Sequence, residues 1–142
     1  MDAALASSLN LLLESERAGV IALDRLITEV SHEELRRLLT LSREHEAATA
    51  AALENLLLAD GAEPSTRIGP FADKVAAAAT LHDRLSLLLR GEEWVARRAD
   101  EALVHAPATG PIHDQLEQMA KRHRFEVEWG RAELIRIMDT IR

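Results

Sequence analysis

In each of four helical stretches, a carboxylate or an imidazole stands where the apolar pattern leaves room for a leucine. The first stretch carries a stripe at steps of three and four: Leu5, Leu9, Leu12, then Gly19, Leu23, Ile27 and Val30. The slot four after Leu12 is Glu16. In the second stretch the stripe stops at Leu39 and resumes at Leu53, and the skipped slots are Ser42, Glu46 and Thr49. In the third, Glu92 falls in register with Leu85, Leu89 and Ala96, with Glu93 beside it and His82 at another stripe position. In the fourth, between Met119 and Val127, the slot is His123, with Glu126 three further on along the same face. Several carboxylates buried in one layer are costly unless something positive joins them. A metal ion does this, and Glu oxygen and His nitrogen donors suit iron, manganese or zinc. The candidate ligands are therefore Glu16, Glu46 and His123, followed by Glu92, Glu93 and Glu126.

Each of these residues has an ordinary alternative. Glu16 could sit in an internal salt bridge to an arginine of a neighbouring helix, and Glu46 has Arg43 and His45 close by in sequence. Glu92, Glu93 and Glu126 border the polar faces of their helices, which fits solvated rim charges. His32, His45, His105 and His113 lie near helix ends or off the stripes, where surface placement is the default. Trp94 and Trp129 fit core packing, and tryptophans that stay exposed can anchor an interface, which leaves a homodimer open. A buried polar layer can also fix pairing and register at a cost in stability. The competing account is thus a metal-free helical scaffold or dimerisation module with a degenerate site.

The elements that must position these groups are helices. Leu, Ala, Glu and Arg dominate, and no run alternates as a half-buried strand does. Breakers cluster only at 61–70 (GAEPSTRIGP) and 107–111 (PATGP). A further break is marked by Ser31-His-Glu-Glu34, which reads as a capping box with Ser31 as the cap. The spacing predicts helices over about 2–30, 32–60 and 111–140, with Gly61 ending the second and Pro111 opening the last. The third ends near 106. Its start is open between Gly69-Pro70 and the second capping-box candidate, Thr80-Leu-His-Asp83. Four amphipathic helices with narrow apolar stripes pack as an all-α four-helix bundle in one domain spanning 1–142.

Heights can be compared from the turns. Glu16 and Glu46 lie equally far from a turn centred near residue 31, so an antiparallel pair puts them level at about 1.5 Å per residue. A turn near 109 likewise pairs Glu93 with His123 and Glu92 with Glu126. Whether both pairs share one layer depends on the link between the second and third helices. A direct turn into a helix starting at 70 sets Glu46 level with residue 84. A lengthwise crossover to a helix starting near 81 makes the second and third helices parallel and brings a polar side chain from all four to one layer. Twenty residues suffice for such a crossover, at about 3.3 Å per extended residue.

Composition sets outer bounds. The chain has 142 residues, 47% of them hydrophobic and 29% charged, which is the balance of a globular domain. A net charge of -7 argues against a nucleic-acid binder that tracks phosphates. No apolar run approaches the roughly 20 residues of a membrane span. Asp2 precedes any basic residue, unlike a secretory leader, and the cysteine count of 0 excludes disulfides and thiolate metal sites. A cytoplasmic location is the expectation. No phosphate loop or nucleophile triad is visible.

The stretches LLLESERAG (11–19), GAEPSTRIGPFADKV (61–75) and RLSLLLRGEEWVARR (84–98) resemble a small bacterial branch of the ferritin-like superfamily. The resemblance spans nearly the whole chain and implies a ferritin-like four-helix bundle with a long crossover between the second and third helices. It also implies a site for iron or manganese, and redox activity toward dioxygen or peroxide. The plan of that superfamily places one Glu on the first and third helices and Glu-x-x-His on the second and fourth. Glu16, Glu46, Glu92 or Glu93, and His123 match it. Thr49 takes one His slot, and Ala120 takes one Glu slot unless Glu126 substitutes from the other side.

Overall fold

The computed structural model describes residues 1–140, and the element order is α1 (Ala3–Glu29), α2 (Glu33–Ala59), α3 (Phe71–Ala77), α4 (Leu81–His105) and α5 (Pro111–Thr140). The molecule is all-α: no strand occurs among the described residues. Ile141, the last position of the fourth apolar stripe in the sequence, lies outside them.

Local chemistry accounts for the boundaries. Asp2 caps α1 by accepting from the Leu5 N–H at 2.8 Å. Thr80 caps α4 in the same way through Asp83, at 3.0 Å. This settles the start of the third long helix at Leu81 and leaves 71–77 as the separate short α3. The cap of α2 is shifted from the expectation. It is His32, whose Nδ1 accepts from the Leu35 N–H at 3.3 Å, and not Ser31. At the other end of α2, Gly61 takes φ +77° while the Ala62 and Gly61 N–H groups close onto the Leu57 and Leu58 carbonyls, a Schellman ending.

Two leucine-rich clusters show how the long helices run. One joins Leu5, Leu9 and Leu12 of α1 to Leu53 and Leu57 of α2, Ala99 and Ala102 of α4, and Leu116 and Met119 of α5. The other joins Leu23 and Leu26 of α1 to Leu35 and Leu39 of α2, Leu85 and Leu88 of α4, and Leu134 and Ile137 of α5. Helices α1 and α5 therefore run from the first cluster to the second, and α2 and α4 run back. The chain leaves α2 at the first cluster and enters α4 at the second, so residues 60–80 travel the length of the molecule. Asn10 holds this segment through its bonds to the Ser65 N–H (2.7 Å) and the Glu63 carbonyl (3.2 Å), and Arg25 pairs with Asp73 at 3.0 Å. Between the two apolar clusters lies a polar layer.

Candidate metal centre

That layer gathers one side chain from α1, two from α5 and one each from α2 and α4. Glu16 is 0% exposed, Glu46 5%, Glu92 4% and His123 3%, the only buried charged or polar side chains among the described residues. Glu126 joins them from one turn beyond His123, with its side chain 12% exposed. Ligand-type atoms of Glu16, Glu46 and His123 all lie within 4.8 Å of one another, as do those of Glu92, His123 and Glu126. His123 belongs to both triads.

Helix geometry brings this about. Each residue continues its own apolar stripe, so the packing that buries the leucines on either side also buries it. Space is made by a glycine: a Cβ on Gly19 would stand 2.3 Å from Glu46 Oε1, so the α2 carboxylate lies directly against the α1 backbone.

The hydrogen bonds are few and specific. His123 Nε2 lies 2.6 Å from Glu16 Oε1. The Ser42 hydroxyl lies 3.2 Å from both Glu92 Oε1 and Glu126 Oε2, and its single proton serves one of them at a time. Arg122 donates through Nε to Glu126 Oε1 at 2.9 Å and rests against the His45 ring. Glu16 Oε2, Glu46 Oε2 and His123 Nδ1 are buried with no hydrogen-bond partner among the described residues.

The electrostatics follow from this crowding. Burial pushes the Glu46 carboxyl well above the usual range, and the charges of Glu16, Glu92 and Glu126 push it further. Glu92 is raised well above that range too, first by burial and then by the charge and hydrogen bond of Glu126, with Ser42 opposing. Burial alone would lower His123, but the Glu16 carboxylate against its ring outweighs this and raises it.

The candidates are distributed as follows. Glu16, Glu46, Glu92, His123 and Glu126 come together. Glu92 and Glu126 are thus inside the layer or at its edge rather than solvated. Glu93 points away: it is bound to Arg131 at 2.7 Å and to Arg97 at 3.6 Å, with its side chain 40% exposed. Arg43, a candidate partner for Glu46, pairs instead with Asp24 at 2.9 Å. Thr49 turns its hydroxyl back to the His45 carbonyl, 2.9 Å away, and offers nothing to the site. His82 is exposed beside Asp83. The part of Ser42 went unread in the sequence, although it occupies a stripe gap one turn before Glu46.

A family model described as "Domain of unknown function (DUF6306)" matches residues 3–133. The chain belongs to this family. The match runs from α1 through most of α5 and so includes all five clustered residues. No curated protein matches the chain.

Chemically, the layer offers four carboxylates and one imidazole, with no lysine or arginine at its centre among the described residues. Arg122 reaches only the outer edge, at Glu126. This donor set is of the oxygen-and-nitrogen type that divalent first-row ions accept. No described helix is long and apolar enough to cross a membrane.

Proposed function

We propose that this protein is a ferritin-like four-helix bundle that holds a transition metal, iron or manganese, among Glu16, Glu46, Glu92, His123 and Glu126. The supporting observation is the pair of triads sharing His123, together with three buried polar atoms that lack partners among the described residues. An unpartnered buried oxygen or nitrogen is costly, and a cation held by these residues would offset part of that cost. The ferritin-like plan is also supported by the lengthwise link from α2 to α4. Its two departures have different weights. Ala120 is 0% exposed and supplies no ligand, but Glu126 provides a carboxylate on the same helix. Among the described residues nothing replaces the imidazole missing at Thr49.

When bound, a redox-active ion would supply one-electron chemistry toward dioxygen or peroxide. The protein's own part is to hold the donors in place between two apolar clusters. Leu12, Leu13, Leu53 and Met119 pack on one side of the layer, and Leu23, Leu39 and Leu88 on the other.

A second reading is favoured by the Glu16–His123 bond and the Ser42 bridge, which satisfy part of the layer without any ion. In that reading the protein is a scaffold or homodimer module, with exposed Phe125 and Trp129 on α5 as contact residues. Elemental analysis after growth with iron, manganese and zinc separates the two. Stoichiometric iron or manganese in the wild type, lost in Glu16→Ala with helix content kept, supports the metal centre. Substoichiometric metal, with a melting temperature unmoved by each ion, supports the scaffold.

A further inference from the structure

The polar layer is reached from outside by a cavity of about 470 Å³ between α1 and α4, roofed by the residues leading into α3. Its walls are mostly apolar, with Leu11 and Ala18 of α1, Phe71 under the roof, and Trp94 and Val95 of α4, and Glu14 and Lys74 also line it. At its inner end lies the carboxyl of Glu46, with Glu92 beside it; the two are 5% and 4% exposed. Phe71 is drawn in tightly, because a Cβ on Gly91 would stand 2.5 Å from its ring. The glycine lets the ring seat directly on the α4 backbone and fixes the roof. The volume is within the range of small-molecule sites, roughly 300–1,000 Å³.

We infer that this cavity is a binding site for a small apolar alcohol, whose hydrocarbon body lies along Leu11, Phe71, Trp94 and Val95 and whose hydroxyl reaches Glu46. The apolar walls select the body. The end group follows from Glu46, which belongs to the cavity lining and whose carboxyl has no hydrogen-bond partner among the described residues. A hydroxyl donates to a carboxylate and accepts from a carboxylic acid, so it matches Glu46 in either protonation state. An ammonium matches only the ionised form and must shed hydration among walls that are mostly apolar. A carboxylate would meet like charge from Glu14, Glu46 and Glu92, against one cationic lining residue, the exposed Lys74. The inference rests on the cavity and on Glu46, and it stands or falls apart from the metal.

Trp94 lines the cavity and Trp129 does not, so Trp129→Phe leaves a single fluorescent reporter on the wall. The probe is 1-octanol, titrated into chelator-treated protein, with octanoate and octylammonium as comparisons. A saturable change in Trp94 emission with 1-octanol, at least tenfold weaker for octanoate, is expected. Ser15→Phe fills the cavity from a half-buried position whose hydroxyl bonds only its own helix, at the Leu11 carbonyl. It should weaken 1-octanol at least tenfold with helix content unchanged. In Glu46→Leu the preference for alcohol over octanoate should shrink below about threefold. A response that stays linear to the solubility limit overturns the proposal. So does undiminished binding in a folded Ser15→Phe, or an unchanged preference in Glu46→Leu. Because the titration is done without metal, a protein that takes up no iron or manganese but saturates with 1-octanol rejects the metal centre alone.

Discussion

His123 Nε2 stands 2.6 Å from Glu16 Oε1, a bond between the last and the first long helices at the centre of the protein. Both side chains are almost fully buried, so each is the other's main compensation for leaving water. Removing one strands the other. His123→Leu is expected to lower the unfolding free energy of metal-free protein by about 3–5 kcal/mol. The double variant Glu16→Leu/His123→Leu should recover most of that loss, since an apolar pair of similar volume carries no desolvation cost. Urea denaturation of the four proteins in this cycle measures it. A double variant no more stable than His123→Leu would show that the pair is not an isolated ionic unit.

The pH dependence of stability has a defined sign. Glu46, Glu92 and His123 all have folded values above their ordinary ones. The folded state therefore keeps protons that the unfolded chain has released, and stability falls with rising pH. The fall begins above about 4.5, where unfolded carboxylates titrate, and continues past 6.5 as the histidine joins. Metal binding reverses the slope, because ligands must lose their protons to coordinate. Urea midpoints at about pH 5 and pH 8 should fall for chelator-treated protein and rise for protein loaded with manganese. Parallel trends in the two samples would contradict metal binding by these residues.

The helices were legible because the apolar period is strict, and the site was legible because charged residues break that period at one height. Glu16, Glu46 and His123 can be read in this way. Glu92 and Glu93 could not be separated, since one residue is a rotation of about 100° and the stripe of α4 is wide enough to admit either. Which one enters is decided by the rotation of α4 that buries Leu85, Leu88, Leu89, Ala96 and Ala99, which leaves Glu93 outside to pair with Arg131 and Arg97. The start of α4 was ambiguous because Pro70 and Thr80 both signal a helix start, and both do start one: α3 and α4. The His32 cap was missed because a serine in the preceding position is the commoner solution. The cavity beside Glu46 was not readable at all, being formed where the segment before α3 crosses two helices.

Gly19→Ala separates site geometry from fold stability. The added Cβ would come within 2.3 Å of Glu46 Oε1, the end of a flexible side chain that can swing away. The helix itself gains from the exchange, by up to about 1 kcal/mol of intrinsic propensity. The variant should melt within a few degrees of the wild type, yet bind manganese at least tenfold more weakly by titration calorimetry. Unchanged affinity would mean that Glu46 does not hold the ion in the position seen here.

The adjacent pair Glu92 and Glu93 gives an internal control, since the same Glu-to-Gln exchange is made on an inward and on an outward carboxyl. Glu92→Gln takes away a buried carboxyl raised by desolvation and by Glu126, so metal-free protein should become more stable near neutral pH while manganese affinity falls at least tenfold. Glu93→Gln disturbs only exposed pairs with Arg131 and Arg97, each worth about 0–1 kcal/mol, and should leave metal affinity within twofold of wild type. Calorimetry and thermal melts on the two variants read both quantities. Equal effects on affinity would show that bulk charge, and not the inward placement of Glu92, governs uptake of the ion.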